Sequence, residues 1–207
     1  MAGMTDWTAV TDEAELRAVV GVPIDRVRDK VRHRLHEMDR LFLAASPFWL
    51  LATSGPGGGN ISPKGDPTGS VVVLDDATIV LPDRLGNRRV GYLDVLENPS
   101  VGLLFVVPGR GDTLRVNGRA TVVRDAPFFD GLAVQGKRPQ LALVVDVQEV
   151  FFHCSKAFLR SGLWDPTTWR PDAVPGRAQI AHAVERPDET AEAVAAYYGP
   201  GYGTELY

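Results

Sequence analysis

The chain has 207 residues, a formal net charge of −4 and a pI of about 5.6, with 44% apolar and 23% charged residues. This length suits one domain with a short accessory segment, and the composition is that of an ordinary globular protein. The acidic balance argues against broad phosphate neutralisation on nucleic acid. One cysteine, Cys154, excludes an intrachain disulfide and a cysteine-based metal cluster. No apolar stretch approaches the roughly 20 residues of a membrane span.

The N-terminal run MAGMTDWTAVTDEAEL lacks the basic start and apolar core of a secretion signal. A reducing cytoplasm is therefore the expected compartment. Over residues 11–45, Thr11 and Asp12 offer caps, and Val27, Val31, Leu35, Met38 and Phe42 recur every three or four positions. This predicts two helices broken near Gly21 and Pro23, packed on a sheet. His33 and His36 would share a helix face, without the further ligands a metal needs.

From Pro47 the pattern becomes short runs of Val, Leu and Phe between Gly, Pro, Asn and Asp clusters, which reads as strands and hairpins. Strands are predicted over 48–54, 60–66, 70–75, 78–83, 101–107, 113–123 and 141–154, with 60–66 irregular at its end and 70–75 pairing with 78–83. Helices are predicted over 87–100, with Val90, Leu93 and Leu96 on one face and Asn98-Pro99 ending it, and over 126–134. Short strands with hairpin connections favour a small antiparallel barrel of about six strands over a parallel α/β sheet. The domain reading is a helical segment (1–45) packing on the barrel, the barrel itself (46–170) and a tail (171–207). The tail is amphipathic for about ten residues and then glycine-rich, suited to packing on the surface or on a partner.

Three segments could carry chemistry. In DRLGNRR (83–89), two adjacent arginines at a helix start suit a phosphate dianion, and equally a solvated, salt-bridged helix start. In SPKGDPTG (62–69), Lys64 sits in a turn whose glycines allow close approach to a flat ligand. In KAFLRSGLWDPTTW (156–169), Lys156, Arg160, Trp164 and Trp169 gather cations and indoles that could stack on an aromatic cofactor or bury in a subunit interface. No GxGxxG, Walker loop or HExxH motif occurs, so Rossmann, nucleoside-triphosphatase and zinc-protease chemistry lack support.

Taken in order, FWLLATSGPGGGNISPKGDPTG, TIVLPDRLGNRRVGYLDVLENPSVGLLF, LRVNGRATVVRD and HCSKAFLRSGLWDP resemble the pyridoxamine 5'-phosphate oxidase-like superfamily of FMN-binding split barrels, over about residues 40–170. The resemblance implies a mainly β (α+β) fold: a six-stranded antiparallel split β-barrel with flanking helices. It implies a homodimer with flavin mononucleotide (FMN) at the interface, and an FMN-dependent oxidoreductase acting on a small organic molecule. The implied cofactor-binding residues are Ser62, Pro63 and Lys64 along the flavin, Asn87, Arg88 and Arg89 on the phosphate, and Arg160, Ser161 and Trp164 from the other subunit. Neither nucleic acid nor membrane is an implied partner.

The tail after residue 171 lacks the substrate-binding C-terminal pattern of the biosynthetic oxidases, so only the flavin site carries over. Three alternatives remain at this point: a non-catalytic flavin store, a deazaflavin-binding relative, and a haem-binding one using His153 as axial ligand.

Overall fold

The structure is a computed structural model that describes residues 7–84, 90–204 and 206. The chain divides into two compact units, Met1–Val31 and Arg32–Tyr207. In the first, helix α1 (Glu13–Val20) starts at Asp12, whose carboxylate accepts from the Glu15 amide, and stops at Gly21 with φ 76°. A single turn, α2 (Asp25–Arg28), follows Pro23.

The second unit begins where the sequence predicts one continuous helix. Instead the backbone of Arg32 forms a β-bridge with Val150, with N–O distances of 3.0 and 2.8 Å. Its guanidinium folds back onto the fully buried Asp39, which also accepts from the His36 amide at 2.8 Å. Helix α3 (Glu37–Ala45) therefore starts afresh, N-capped by His36. The stripe from Val27 to Phe42 is not one face: Leu35 and Phe42 are buried, Met38 is exposed, and His33 bonds the Gln148 carbonyl through Nδ1 at 2.6 Å.

Seven strands form one antiparallel sheet in the order β2-β1-β5-β6-β7-β4-β3: β1 (Phe48–Gly55), β2 (Gly58–Gly65), β3 (Val72–Val73), β4 (Thr78–Asp83), β5 (Ser100–Val106), β6 (Thr113–Val123) and β7 (Leu141–His153). All seven predicted runs thus contribute strands, one more than the six-stranded barrel that the resemblance implies. The extra strand, β3, is what remains of the predicted 70–75 run, because only Val72 and Val73 find partners on β4. Helix α4 (Val90–Glu97) lies between β4 and β5. The predicted helix over 126–134 reduces to a 3₁₀ turn at Asp130–Leu132, after which Val134 and Lys137 pair across Gln135 (φ 51°) and Gly136 (φ 75°), a tight reversal.

Alternate residues of the strands face one core, in which Trp49, Leu51, Phe105, Leu114, Leu143 and Val145 are essentially inaccessible. A smaller cluster of Val80, Phe129, Leu132 and Ala142 packs separately. After α5 (Lys156–Ser161), the tail holds two helices, α6 (Arg177–Val184), which the sequence reading did not single out, and α7 (Ala191–Tyr197), which falls in its amphipathic stretch. They bury Ala181 and Val194, and Arg177 and Arg186 each lie 4.8 Å from a tyrosine ring, those of Tyr198 and Tyr197. Among the described residues no helix is long and apolar enough to cross a membrane, and no group of three or more His, Cys, Asp or Glu is placed to hold a metal.

Candidate functional site

Strands β2 and β4 are not hydrogen-bonded to one another, yet two ion pairs run between their C-terminal ends. Lys64 Nζ, on β2, stands 3.4 Å from Asp83 Oδ1, on β4. Just beyond each strand, Arg84 donates through Nε (2.7 Å) and NH2 (2.6 Å) to Asp66 Oδ2, and through NH2 to the Leu132 carbonyl at 2.8 Å. The sheet is therefore curled until the end of β2 approaches that of β4, and charge rather than a strand ladder bridges the two. The Asp66 and Asp83 side chains are 1% and 5% exposed, Arg84 13% and Lys64 26%, so Lys64 alone reaches solvent appreciably.

Helix α4 covers this corner. On β1, Trp49, Leu51 and Thr53 face the same side as Lys64, Ser62 and Asn60 opposite them on β2. Gly91 of α4 lies where an added Cβ would be 3.4 Å from Thr53 Oγ1 and 3.8 Å from Leu51 Cδ2. The Tyr92 ring lies 4.9 Å beneath Lys64 Nζ, a cation–π distance. Asp94 accepts through Oδ2 from Thr53 Oγ1 and Asn60 Nδ2, both at 2.7 Å.

The inward face of α4 is thus Tyr92, Asp94 and Val95, not the predicted Leu93 and Leu96, which are 64% and 71% exposed. The hydrophobic stripe misled because a buried carboxylate with two donors, and a ring under a lysine, outcompete two leucines for the inner face.

Among the predicted cofactor residues, Ser62 and Lys64 share the inner face of β2, half-buried, while Pro63 points to the opposite face. Asn87, Arg88 and Arg89 lie outside the described residues; their flanks are Arg84 and the start of α4. Arg160 and Ser161 end α5, both exposed. Arg160 has no ion-pair partner among the described residues, and Ser161 Oγ bonds the Phe158 carbonyl at 3.1 Å. Trp164 stacks on Phe158, with centroids 6.0 Å apart, and donates through Nε1 to the Arg110 carbonyl at 2.7 Å. This group therefore sits on the β5–β6 connection rather than on β2. A shallow cleft of about 360 Å³ opens there between Gly109, Gly111, Phe158 and Trp164.

Sequence reasoning missed Asp66, Asp83, Tyr92, Asp94, Thr53 and Asn60. Their common signal, polar residues at inward positions of strands and of a helix, becomes visible only once register is known.

Charge bookkeeping tests whether this corner fits a flavin phosphate. Lys64 and Arg84 are matched by Asp83 and Asp66, so the described residues contribute no net positive charge for a dianion. The cations that could supply it are Arg88 and Arg89, which precede α4 directly in sequence. Among the described residues, half-buried Lys64 and the Ser62 hydroxyl line this edge of the barrel, so the fit to a phosphate depends on that basic pair.

An open antiparallel sheet curled into a split barrel and flanked by helices defines the class. Residues 35–154, more than half of the chain, match the pyridoxamine 5'-phosphate oxidase family, and the chain belongs to that family. No curated protein matches the sequence. Among solved structures, HupZ of Group A Streptococcus is 19% identical, with a TM-score of 0.46 over 57% of this chain and 93% of that one. A protein of Lactobacillus delbrueckii described as a putative pyridoxamine 5'-phosphate oxidase is 21% identical, with a TM-score of 0.44 over 58% and 95% of the two chains. An FAD-binding protein of Mesorhizobium loti is 15% identical, with a TM-score of 0.39 over 59% and 96%.

Proposed function

We propose that the chain is an FMN-dependent oxidoreductase of small organic molecules that works as a homodimer, with the cofactor held at the corner of β2, β4 and α4. The observation that carries this reading is the placement of Lys64 in a family member: a half-exposed cation over Tyr92, beside the strand end that leads into Asn87-Arg88-Arg89. When bound, the flavin supplies the redox chemistry, accepting or donating a hydride.

The chain's own residues bind and orient. Arg88 and Arg89 grip the phosphate, with Asn87 beside them, and Ser62 offers a hydroxyl along β2. Lys64 holds a positive charge that favours an anionic ring; Asp83, 3.4 Å away, tempers that charge. Oxidation of pyridoxamine phosphate itself is not part of the proposal, because α6 and α7 form a helical hairpin with its own arginine–tyrosine contacts.

The second copy is supported by the sheet's outer face. Cross-strand register lines up Ile61–Ala52–Gly102, Pro63–Leu50–Leu104 and Gly65–Phe48–Val106, three rows without a charge. A polar rim, Arg115–Asn117–Glu149, hydrogen-bonded at 3.1 and 2.8 Å, borders them. Such a patch with a polar border suits self-association. Within one chain Trp164 makes its contacts on the β5–β6 connection, so its proposed reach to a flavin, with Arg160 and Ser161, is to the cofactor of the other subunit.

The test is a titration of purified protein with FMN and riboflavin, beside its visible spectrum as isolated. One FMN per chain, bound far more tightly than riboflavin, is the expected result. Equal affinity for the two removes the phosphate role of Arg88 and Arg89, and a deazaflavin or haem spectrum replaces the cofactor.

A further inference from the structure

The contact between α4 and the β1–β2 hairpin is made by a polar latch. Asp94 is 7% exposed and Thr53 6%. A single carboxylate oxygen, Asp94 Oδ2, takes both the Thr53 hydroxyl and the Asn60 amide at 2.7 Å, tying the helix to two strands at once. The other oxygen, Oδ1, occupies the space a side chain at residue 55 would fill: a Cβ added to Gly55 would lie 2.2 Å from it. Gly55 takes no left-handed φ, so backbone freedom does not demand a glycine there. What demands it is room for the Asp94 carboxylate.

A buried carboxyl with two donors is a costly way to attach a helix when an apolar contact would serve. Its geometry does something an apolar contact cannot. Two short bonds to one atom fix the rotation of α4 about its axis, whereas leucines on a smooth surface tolerate several. That rotation sets Tyr92, two residues earlier, beneath Lys64.

We infer that Asp94, latched by Thr53 and Asn60 in the space left by Gly55, is a positioning residue for the cofactor corner. It acts through α4 on Lys64 and on the helix start rather than by touching the flavin. The inference rests on the reading of this corner as the FMN site.

The experiment compares FMN and riboflavin affinities in the full-length wild type and in Asp94→Ala, Gly55→Ala, Thr53→Val and Asp94→Asn, each shown by circular dichroism to be folded at the assay temperature. The readout is the ratio of the two affinities, which a loss of stability alone does not move. Asp94→Ala strands the buried Thr53 hydroxyl and the half-buried Asn60 amide, and Gly55→Ala expels the carboxylate without altering it. Both lower the preference for FMN by roughly tenfold or more. Asp94→Asn, whose side-chain carbonyl can accept both donors, restores it. Thr53→Val, which removes one donor at nearly constant shape, falls between and tests the latch should Asp94→Ala fail to fold.

Folded variants that keep the wild-type ratio would overturn the positioning role, as would an Asp94→Asn protein indistinguishable from Asp94→Ala. A wild type that does not prefer FMN defeats the cofactor reading itself, and the positioning role with it, before any variant is compared.

Discussion

Replacing Asp66 with alanine strikes the bridge between the ends of β2 and β4. Its carboxylate lies 2.6 Å from Arg84, with both side chains largely out of water, at 1% and 13% exposure. At an effective dielectric of about 20, the gross attraction at that separation is about 6 kcal/mol, most of which offsets the desolvation of the two ions. The net worth of the pair is therefore small, but breaking it is expensive, because the Arg84 guanidinium stays largely out of water once the carboxylate that takes its two short contacts is gone. Asp66→Ala is expected to lower unfolding free energy by about 3–5 kcal/mol. Asp66→Ala combined with Arg84→Met should recover much of that loss, since the buried guanidinium is removed together with its carboxylate. Urea denaturation followed by tryptophan fluorescence, with Trp49 buried in the adjoining core, measures both. A double variant as unstable as the single one would refute the argument, because the defect would then lie in lost packing or strand geometry rather than in the desolvated guanidinium.

Arg88→Ala, and to a smaller degree Arg89→Ala, should weaken FMN binding by roughly 1–3 kcal/mol per charge-assisted contact while leaving riboflavin affinity unchanged; loss of thermal stability with unaltered flavin affinity would return this pair to a surface salt-bridge role. Leu50→Glu, at the centre of the uncharged rows on the outer sheet face, should give a folded monomer with weakened FMN binding, and sedimentation over a dilution series shows whether it does. The hydrogen bond from Arg110 holds the Asp112 carboxyl below its usual pKa. That contribution to stability is complete above the unfolded value near 3.9 and disappears as pH falls through the lower folded value. Asp112→Asn should therefore lower the neutral region of a stability–pH curve by that contribution and flatten its acid limb, so that variant and wild type converge at low pH.

How much of this was legible in the sequence follows from which forces set each feature. Strands β1, β4, β6 and β7 could be placed closely because alternation and turn residues are local signals: the 78–83 and 113–123 runs match β4 and β6 residue for residue. The helix through residues 27–42 was not legible, because the decisive bonds of Arg32 go to Val150 and Asp39, and the former lies more than 100 residues away. The same holds for the site. Ser62 and Lys64 could be singled out by composition, but their neighbours could not. Asp83 meets Lys64 only because the sheet curls, and Asp94 turns inward only because Thr53 and Asn60 stand opposite each other on paired strands. The inward face of α4 was assigned to the wrong residues for that reason.

The strand order carries a consequence for biogenesis. Strands β1–β2 and β5–β6 are each joined by a hairpin, and β1 pairs with β5 across the β3–β4 hairpin and α4, so that half can assemble as it leaves the ribosome. Strand β4, residues 78–83, has as its long partner β7, residues 141–153, and otherwise only the two-residue β3. Closing that loop is slow relative to local hairpins. The nascent chain must therefore hold β4 and its following arginines in waiting until β7 has been synthesised. Only then do Lys64 and Asp83 meet, so the corner that would receive a flavin is among the last parts of the barrel to exist, and a chain terminated before residue 141 has strands but no place for a cofactor.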